Sequence, residues 1–159
     1  MIDKEALVAK LESLPVKKIV IIGAPGSGKS TIGKELAGRL GIPLVEADKI
    51  FWQKNGTHLS EQELIFAVEQ KLKDLSSWIF EGHFKTCHAV VLKEATMVIE
   101  LKINFWVSYA RYCYREIFRA DASLREKVKK LIFVPLNHQK IMGIRKAALL
   151  KYKGERISF

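Results

Sequence analysis

The chain is short of cysteine and of long apolar runs, and each shortage closes off a class of protein. Its only cysteines, Cys87 and Cys113, lack the close pairing of a metal knuckle or redox motif. They are too few for a disulfide scaffold, so both read as buried reduced thiols. No stretch approaches the roughly 18 to 20 consecutive apolar residues of a membrane span. The opening Met1-Ile-Asp-Lys-Glu lacks the basic-then-apolar order of a secretion signal, so a cytoplasmic chain with no membrane partner is expected. Repeats, low-complexity tracts and Gly/Ser linkers are also missing. With 159 residues, 48% of them hydrophobic, one core can be buried and two cannot comfortably be, which predicts a single domain over residues 1–159.

Acid is scarce in one place only. Through Leu101 the chain carries 13 Lys/Arg and 13 Asp/Glu, and from Lys102 onward 14 and 4, so the C-terminal third holds the whole net charge of +10. Such a field suits an anionic partner, although a solvated surface of amphipathic helices explains it equally well.

Alternating apolar runs and helical patterns organise the rest. Lys17-Lys-Ile-Val-Ile-Ile22 is a β-branched run ending in a glycine-rich turn, and reads as a doubly buried central strand. A helix is expected over Thr31–Leu40, stopping at Gly41-Ile-Pro43. Leu44–Ala47, Ser77–Glu81 and Thr96–Leu101 read as further strands, and Arg156–Phe159 as a terminal edge strand. Ser60-Glu-Gln-Glu63 has the form of a capping box opening a helix to about Leu75, and Ser123-Leu-Arg-Glu126 looks like a second. Asn104 is a candidate cap for a helix whose Trp106, Ala110, Cys113 and Ile117 recur at one-face spacing and are expected to face the core, with a break near Asp121. Asn137 is expected to cap a last helix ending before Gly154. Strands alternating with helices predict an α/β fold with a parallel sheet covered on both faces.

Within that frame Gly23-Ala24-Pro25-Gly26-Ser27-Gly28-Lys29-Ser30 fits G-x-x-x-x-G-K-[ST] without substitution, between a predicted strand and a predicted helix. Glycines let several amide hydrogens turn into one concavity, and the helix N-terminus adds its positive dipole. Lys29 would reach the β- and γ-phosphates of ATP, the Ser30 hydroxyl would hold Mg²⁺, and Thr31 completes the nucleotide-binding set. The D-x-x-G and N-K-x-D signatures of GTPases do not occur. A motor or AAA-type ATPase would be expected to need a longer chain and a strand ending in a carboxylate pair. Small P-loop kinases remain.

Several spaced features carry a resemblance at this point. The loop with its internal proline, through Thr31, resembles that of adenylate kinases and their small-kinase relatives. The order Asp48-Lys-Ile-Phe-Trp52, then Trp78-Ile-Phe-Glu-Gly-His-Phe84, then Arg111, Arg115 and Arg119 is similar to the adenylate-kinase-related DNA topology modulation proteins. The resemblance spans roughly Lys17 to Arg119. It implies a three-layer P-loop NTPase fold, a five-stranded parallel sheet in the order 2-3-1-4-5 and a helical lid, placed at about 111–130. Glu81 stands where such proteins commonly have Asp. Lys85 replaces the arginine with which adenylate kinases grip a nucleoside monophosphate. Related kinases continue past the point where this sequence stops, through a loop that contributes to the adenine pocket, so base selectivity is expected to be low or to come from the lid.

Site roles follow from these positions. Asp48, just past the second strand, would accept a proton from an acceptor hydroxyl or hold a Mg²⁺-bound water, and Glu81 would coordinate Mg²⁺ through water. A solvated charge at a strand end is the alternative for each. Arg111, Arg115 and Arg119 advance only about 40° at each step around a helix, so they form either a phosphate rake or a solvated flank, with Arg115 and Arg119 the candidates to act. Trp52 is a core residue or a stacking surface for the acceptor. His83 lies where an acceptor would bind, whereas His58, His88 and His138 read as incidental. The expected activity is Mg²⁺- and ATP-dependent phosphoryl transfer to a small acceptor such as a nucleotide or nucleoside. The rival is a nucleotide-gated protein whose basic C-terminal third holds nucleic acid.

Overall fold

The computed structural model describes residues 4–53, 57–82, 85–118 and 124–158. Five strands, β1 (Lys18–Gly23), β2 (Leu44–Glu46), β3 (Trp78–Glu81), β4 (Met97–Leu101) and β5 (Glu155–Ser158), form one sheet. Every pairing is parallel and the order is β2-β3-β1-β4-β5, the order expected above. Around it lie α1 (Lys4–Glu12), α2 (Lys29–Leu40), α3 (Ala47–Phe51), α4 (Glu61–Lys73), α5 (Lys85–Glu94), α6 (Phe105–Ile117) and α7 (Leu124–Lys151).

The period of two along each strand splits the core in half. Val20, Ile22, Val45, Trp78, Phe80 and Val98 pack on one face with Leu64 and Val68 of α4, Val91 of α5 and Leu149 of α7. Ile19, Ile21, Ile79, Met97, Ile99 and Ile157 pack on the other with Leu7 and Leu11 of α1 and Leu36 of α2. Both faces are therefore apolar, which is why β1, β3 and β4 read as unbroken hydrophobic runs. Parallel strands also send all their carboxyl ends to one edge, where a ligand crevice forms.

Helix starts follow the sequence chemistry. The Ser60 hydroxyl accepts from the Glu63 amide at 3.3 Å while the Glu63 carboxylate accepts from the Ser60 amide at 2.8 Å, the reciprocal capping box. These hydrogen bonds hold the Glu63 carboxyl below its ordinary value. Asn104 accepts from the Trp106 amide at 2.9 Å and opens α6 as expected.

Two helical expectations need correction. Asn137 caps nothing: α7 runs without interruption from Leu124 to Lys151 through Pro135, and the Asn137 amide donates to the Phe133 carbonyl one turn back at 2.9 Å. Proline has no N–H to offer the carbonyl four residues earlier, here that of Leu131, and the Tyr109 hydroxyl of α6 donates to that carbonyl at 2.8 Å. A side chain from the neighbouring helix thus replaces the bond that would have argued for a break. Tyr109→Phe is expected to cost about 1 kcal/mol, the net worth of one such bond, read as a lower urea midpoint with an unchanged slope.

The second correction concerns the face of α6. Its buried residues are Ser108, Tyr112 and Glu116, whereas Trp106 and Ile117, at the two ends of the expected core stripe, are exposed. The sheet-side face of α6 is occupied by a close backbone contact described below, and a small Ser108 fits it where an indole would not. Of the proposed lid, α6 ends at Ile117 and α7 begins at Leu124. Asp121 and Ser123 fall outside the described residues.

Candidate active site

Between the end of β1 and the start of α2 the chain turns within five residues, with Ser27 N donating to Ala24 O at 3.1 Å. Gly28, the N-cap of α2, has φ 89° and no capping side chain. The amides of the first turn of α2 are thus left to a ligand, with the dipole of a 12-residue helix behind them. Gly26 is required twice over. Its φ is 77°, and a Cβ there would stand 2.0 Å from the Ser108 carbonyl oxygen of α6. That contact seats the loop on α6 and accounts for the inward Ser108. Gly26→Ala is expected to cost about 2 kcal/mol or more from left-handed strain and displacement of the loop. Paired urea and ATP titrations should show stability and nucleotide affinity falling together.

Around this loop oxygen ligands converge. Glu81, the last residue of β3, is level with Ile21 of β1 and Glu46 of β2. It is almost fully buried, at 2% exposure, and its Oε1 accepts from the Ser30 hydroxyl at 3.0 Å. Asp48 lies just past β2, as the sequence suggested, in the first turn of α3. The next residue of the β3 end, Gly82, presses on α3: a Cβ there would be 2.4 Å from that of Ala47. Backbone contact thereby brings the Asp48-bearing helix against the strand end bearing Glu81. Lys29 Nζ reaches back over the loop to donate to Ala24 O at 3.0 Å, and its charge acts on both Asp48 and Glu81.

Burial pushes the Glu81 carboxyl above its ordinary value, opposed by Lys29 and the Ser30 hydrogen bond and reinforced by the charges of Asp48 and Glu46. Asp48 is open to water at the mouth of the site, yet the protein around it still raises its carboxyl. Lys29 and Arg115 pull against that, and Glu46 adds to it. Three carboxylates share one strand edge, and Glu46 is paired with Lys49. Burial of Glu81 and repulsion from Asp48 and Glu46 favour a proton or a hard cation at this edge.

The sequence-selected residues divide accordingly. Gly23 to Ser30 form the loop and the first turn of α2, with Thr31 following in that turn. Lys29, Ser30, Asp48 and Glu81 converge, and Arg115 is near enough for its charge to act on Asp48. Arg115 also lies over the Tyr112 ring at 5.6 Å. Arg111 is exposed on α6. Arg119, His83 and the side chain of Lys85 lie outside the described residues.

Sequence reasoning passed over Glu46 and Ser108. His88, read as incidental to the chemistry, is buried, and its Nε2 lies 3.4 Å from the Gly82 carbonyl immediately after Glu81. Its signal was the pattern Cys87, His88, Val91, which places it on the buried side of α5. The His58 ring stacks on Phe51 at 5.0 Å. Among the described residues no group of three or more His, Cys, Asp or Glu is arranged to hold a metal. Any cation here would rest on the Ser30 hydroxyl and the two carboxylates, and oxygen-only donors suit Mg²⁺.

A family model described as an AAA domain matches residues 19–128, which takes in the loop, both carboxylates and all of α6. The chain belongs to the AAA domain family. In this domain β3 ends in Glu81 with no second carboxylate beside it in the strand, as the sequence led us to expect.

Curated relatives of this chain include shikimate kinases. A shikimate kinase of Paracidovorax citrulli is 50% identical over 42 residues, 26% of this chain and 23% of that one. A shikimate kinase of Mycobacterium ulcerans is 46% identical over 52 residues, 33% of this chain and 27% of that one. The chain thus spans about a quarter of the length of the curated relatives it matches. Among solved structures, a gluconokinase from Sinorhizobium meliloti aligns with a TM-score of 0.49 and 18% identity, covering 73% of each chain.

Proposed function

We propose that the chain is a Mg²⁺- and ATP-dependent phosphotransferase that acts on a hydroxyl of a small molecule. One observation carries the reading: the Ser30 hydroxyl is hydrogen-bonded to Glu81 at 3.0 Å beside the glycine loop, with the charges of Lys29 and Asp48 acting on the same carboxylate. The names of the shikimate kinases support transfer to a small hydroxylated acceptor.

In this reading the loop amides and Lys29 would hold the triphosphate, and Ser30, Glu81 and Asp48 would hold Mg²⁺. Bound Mg²⁺ would supply charge neutralisation of the phosphates. Asp48, raised in pKa and open to the crevice, takes the proton from the attacking hydroxyl. Arg115, whose charge reaches Asp48, would stabilise the charge that spreads over the transferring group, and Arg119 is the second candidate for that role. Residues 111–130 act as the lid that excludes water and supplies the contacts to the base. Within the small P-loop kinases, the order Asp48, Trp52, Glu81 keeps the chain nearest the DNA topology modulation group. A single domain and a cytoplasmic setting complete the proposal; among the described residues no helix is long and apolar enough to cross a membrane.

The test is ADP release measured with and without Mg²⁺ across hydroxylated acceptors, which should require both metal and acceptor, with only slow hydrolysis when the acceptor is left out. ADP release indifferent to every acceptor and to Mg²⁺ would remove the kinase reading. Nucleic acid is not favoured, because part of the basic excess is spent internally: Arg156 pairs with Glu100, and Lys127 donates to the Ile117 carbonyl at 2.9 Å.

A further inference from the structure

Trp52 stands apart from the other large side chains near the site. Neighbouring Ile50, Phe51 and Leu59 pack against the core, whereas the indole keeps 53% of its surface exposed. Its position is nevertheless well held. Trp52 N donates to Asp48 O at 3.2 Å, Gln53 N to Thr57 O at 2.9 Å and Leu59 N to Phe51 O at 3.0 Å. Trp52 also bridges His58 in antiparallel fashion. The Phe51 and His58 rings stack on each other at 5.0 Å, and the indole meets both nearly at right angles, at 5.1 and 5.8 Å. Burial does not require this bracing, because the ring it orients remains in solvent.

Asp48 and Trp52 are separated by one helical turn, closed by the bond just named. Residues four apart lie on the same side of a helix, with Cβ atoms about 5 to 6 Å apart. Trp52, the C-cap of α3, is therefore rooted one turn from the carboxylate that takes the acceptor proton in the proposed function, on the same side of the helix.

Charge narrows what fits there. Glu46, Asp48 and Glu81 crowd the strand edge, while Lys49 pairs with Glu46 and Lys29 lies on the P-loop. Among the described residues Arg115 is the remaining cation whose charge acts on Asp48, and it is already 3.9 Å from Glu116. An acceptor phosphate at this side of the site would bring two further negative charges to three carboxylates. A nucleoside monophosphate is thereby disfavoured.

We infer that Trp52 is the platform on which the acceptor lies, and that the acceptor is an unphosphorylated ring compound that presents one face to the indole and a hydroxyl to Asp48. The inference rests on the phosphotransferase reading of the site. Two sources share this chemistry, a nucleoside and a cyclic polyol. Stacking recognises a ring face whatever its substituents, and an acyclic chain offers no such face.

The experiment measures Mg²⁺- and ATP-dependent ADP release with adenosine, shikimate, glucose, AMP, gluconate and glycerol, using the full chain and the variants Trp52→Ala and Trp52→Phe. One or more of the first three is expected to be turned over best, and which of them separates nucleoside from cyclic polyol. For that acceptor, Trp52→Ala should raise KM about tenfold or more with the KM for ATP within twofold. Trp52→Phe should recover most of the loss, which a purely structural role would not require. Preference for AMP, gluconate or glycerol, turnover of none of the three rings, or an unchanged acceptor KM in Trp52→Ala overturns the inference. Acceptor-dependent turnover with an indifferent Trp52 would leave the kinase reading intact. Failure of that reading shows separately, as loss of any metal- and acceptor-dependent ADP release in the unaltered chain.

Discussion

Lys29→Ala is expected to lower acceptor-dependent phosphoryl transfer by about a thousandfold while the chain stays folded. Lys29 follows Gly28 at the first position of α2, and its ammonium lies across the loop on the Ala24 carbonyl. Charge-stabilising groups of this kind lose about 10²- to 10³-fold when one neutral donor is removed and 10³- to 10⁵-fold when a cation is. The lysine also opposes the upward displacement of Asp48 and Glu81. Without it both carboxyls should titrate at still higher pH, so the residual activity should have its acidic limb moved upward. Steady-state ADP release across pH, with circular dichroism to check the fold, measures both effects. A variant with unchanged rate and unchanged pH profile would mean that the loop does not hold a triphosphate. Lys29→Arg would then be uninformative, because a guanidinium fork is not an ammonium point charge.

The layout of the sheet was legible because a parallel sheet buried on both faces requires apolar runs, and Lys17–Ile22, Ser77–Glu81 and Thr96–Leu101 are such runs, each ending within a residue of the observed strand. Strand order was not in those runs. It came from the resemblance, since no local pattern states that β1 lies between β3 and β4. Helix α1 was missed, although Leu7, Val8 and Leu11 recur at one-face spacing and are its buried contacts, and although Asp3 stands just before its first residue. The face of α6 was misread for a different reason. Periodicity reports that one side is apolar, not which neighbour occupies the other side, and the requirement of Gly26 for a near-bare backbone at Ser108 decided that. At the site, the motif named Lys29 and Ser30, and strand ends named Asp48 and Glu81. The crowding of Glu46 with them depends on register between β2 and β3, which a single sequence does not express. Pro135 shows the same limit in reverse, since the rule that it ends a helix holds until another helix brings a hydroxyl to the orphaned carbonyl.

Glu81→Gln is expected to make the chain more stable and much less active, and the two effects share one cause. Burial first, then the neighbouring Asp48 and Glu46, raise the Glu81 carboxyl above its ordinary value of 4.5. The folded chain therefore binds more protons than the unfolded chain between that value and the raised one, so stability falls as pH rises through the window and stays lower above it. Asp48, raised from 3.8, adds in the same direction. Glutamine keeps the acceptor oxygen for Ser30 and removes the buried charge. In the metal-free protein near neutral pH it should raise the melting temperature by a few degrees, the shift that about 1 kcal/mol produces in a domain of this size. At pH 4 and below the gain should shrink toward zero, because the native carboxyl is by then protonated. Mg²⁺ reverses the comparison: it should stabilise the unaltered chain by offsetting the crowded carboxylates and should stabilise the variant far less. Turnover in the variant should drop by about 10²- to 10³-fold. Thermal melts of both proteins at pH 4 and 7.5, with and without Mg²⁺ and ATP, separate this from a structural carboxylate. If Glu81 only held Ser30 in place, the substitution would leave both the pH dependence and the response to Mg²⁺ unchanged.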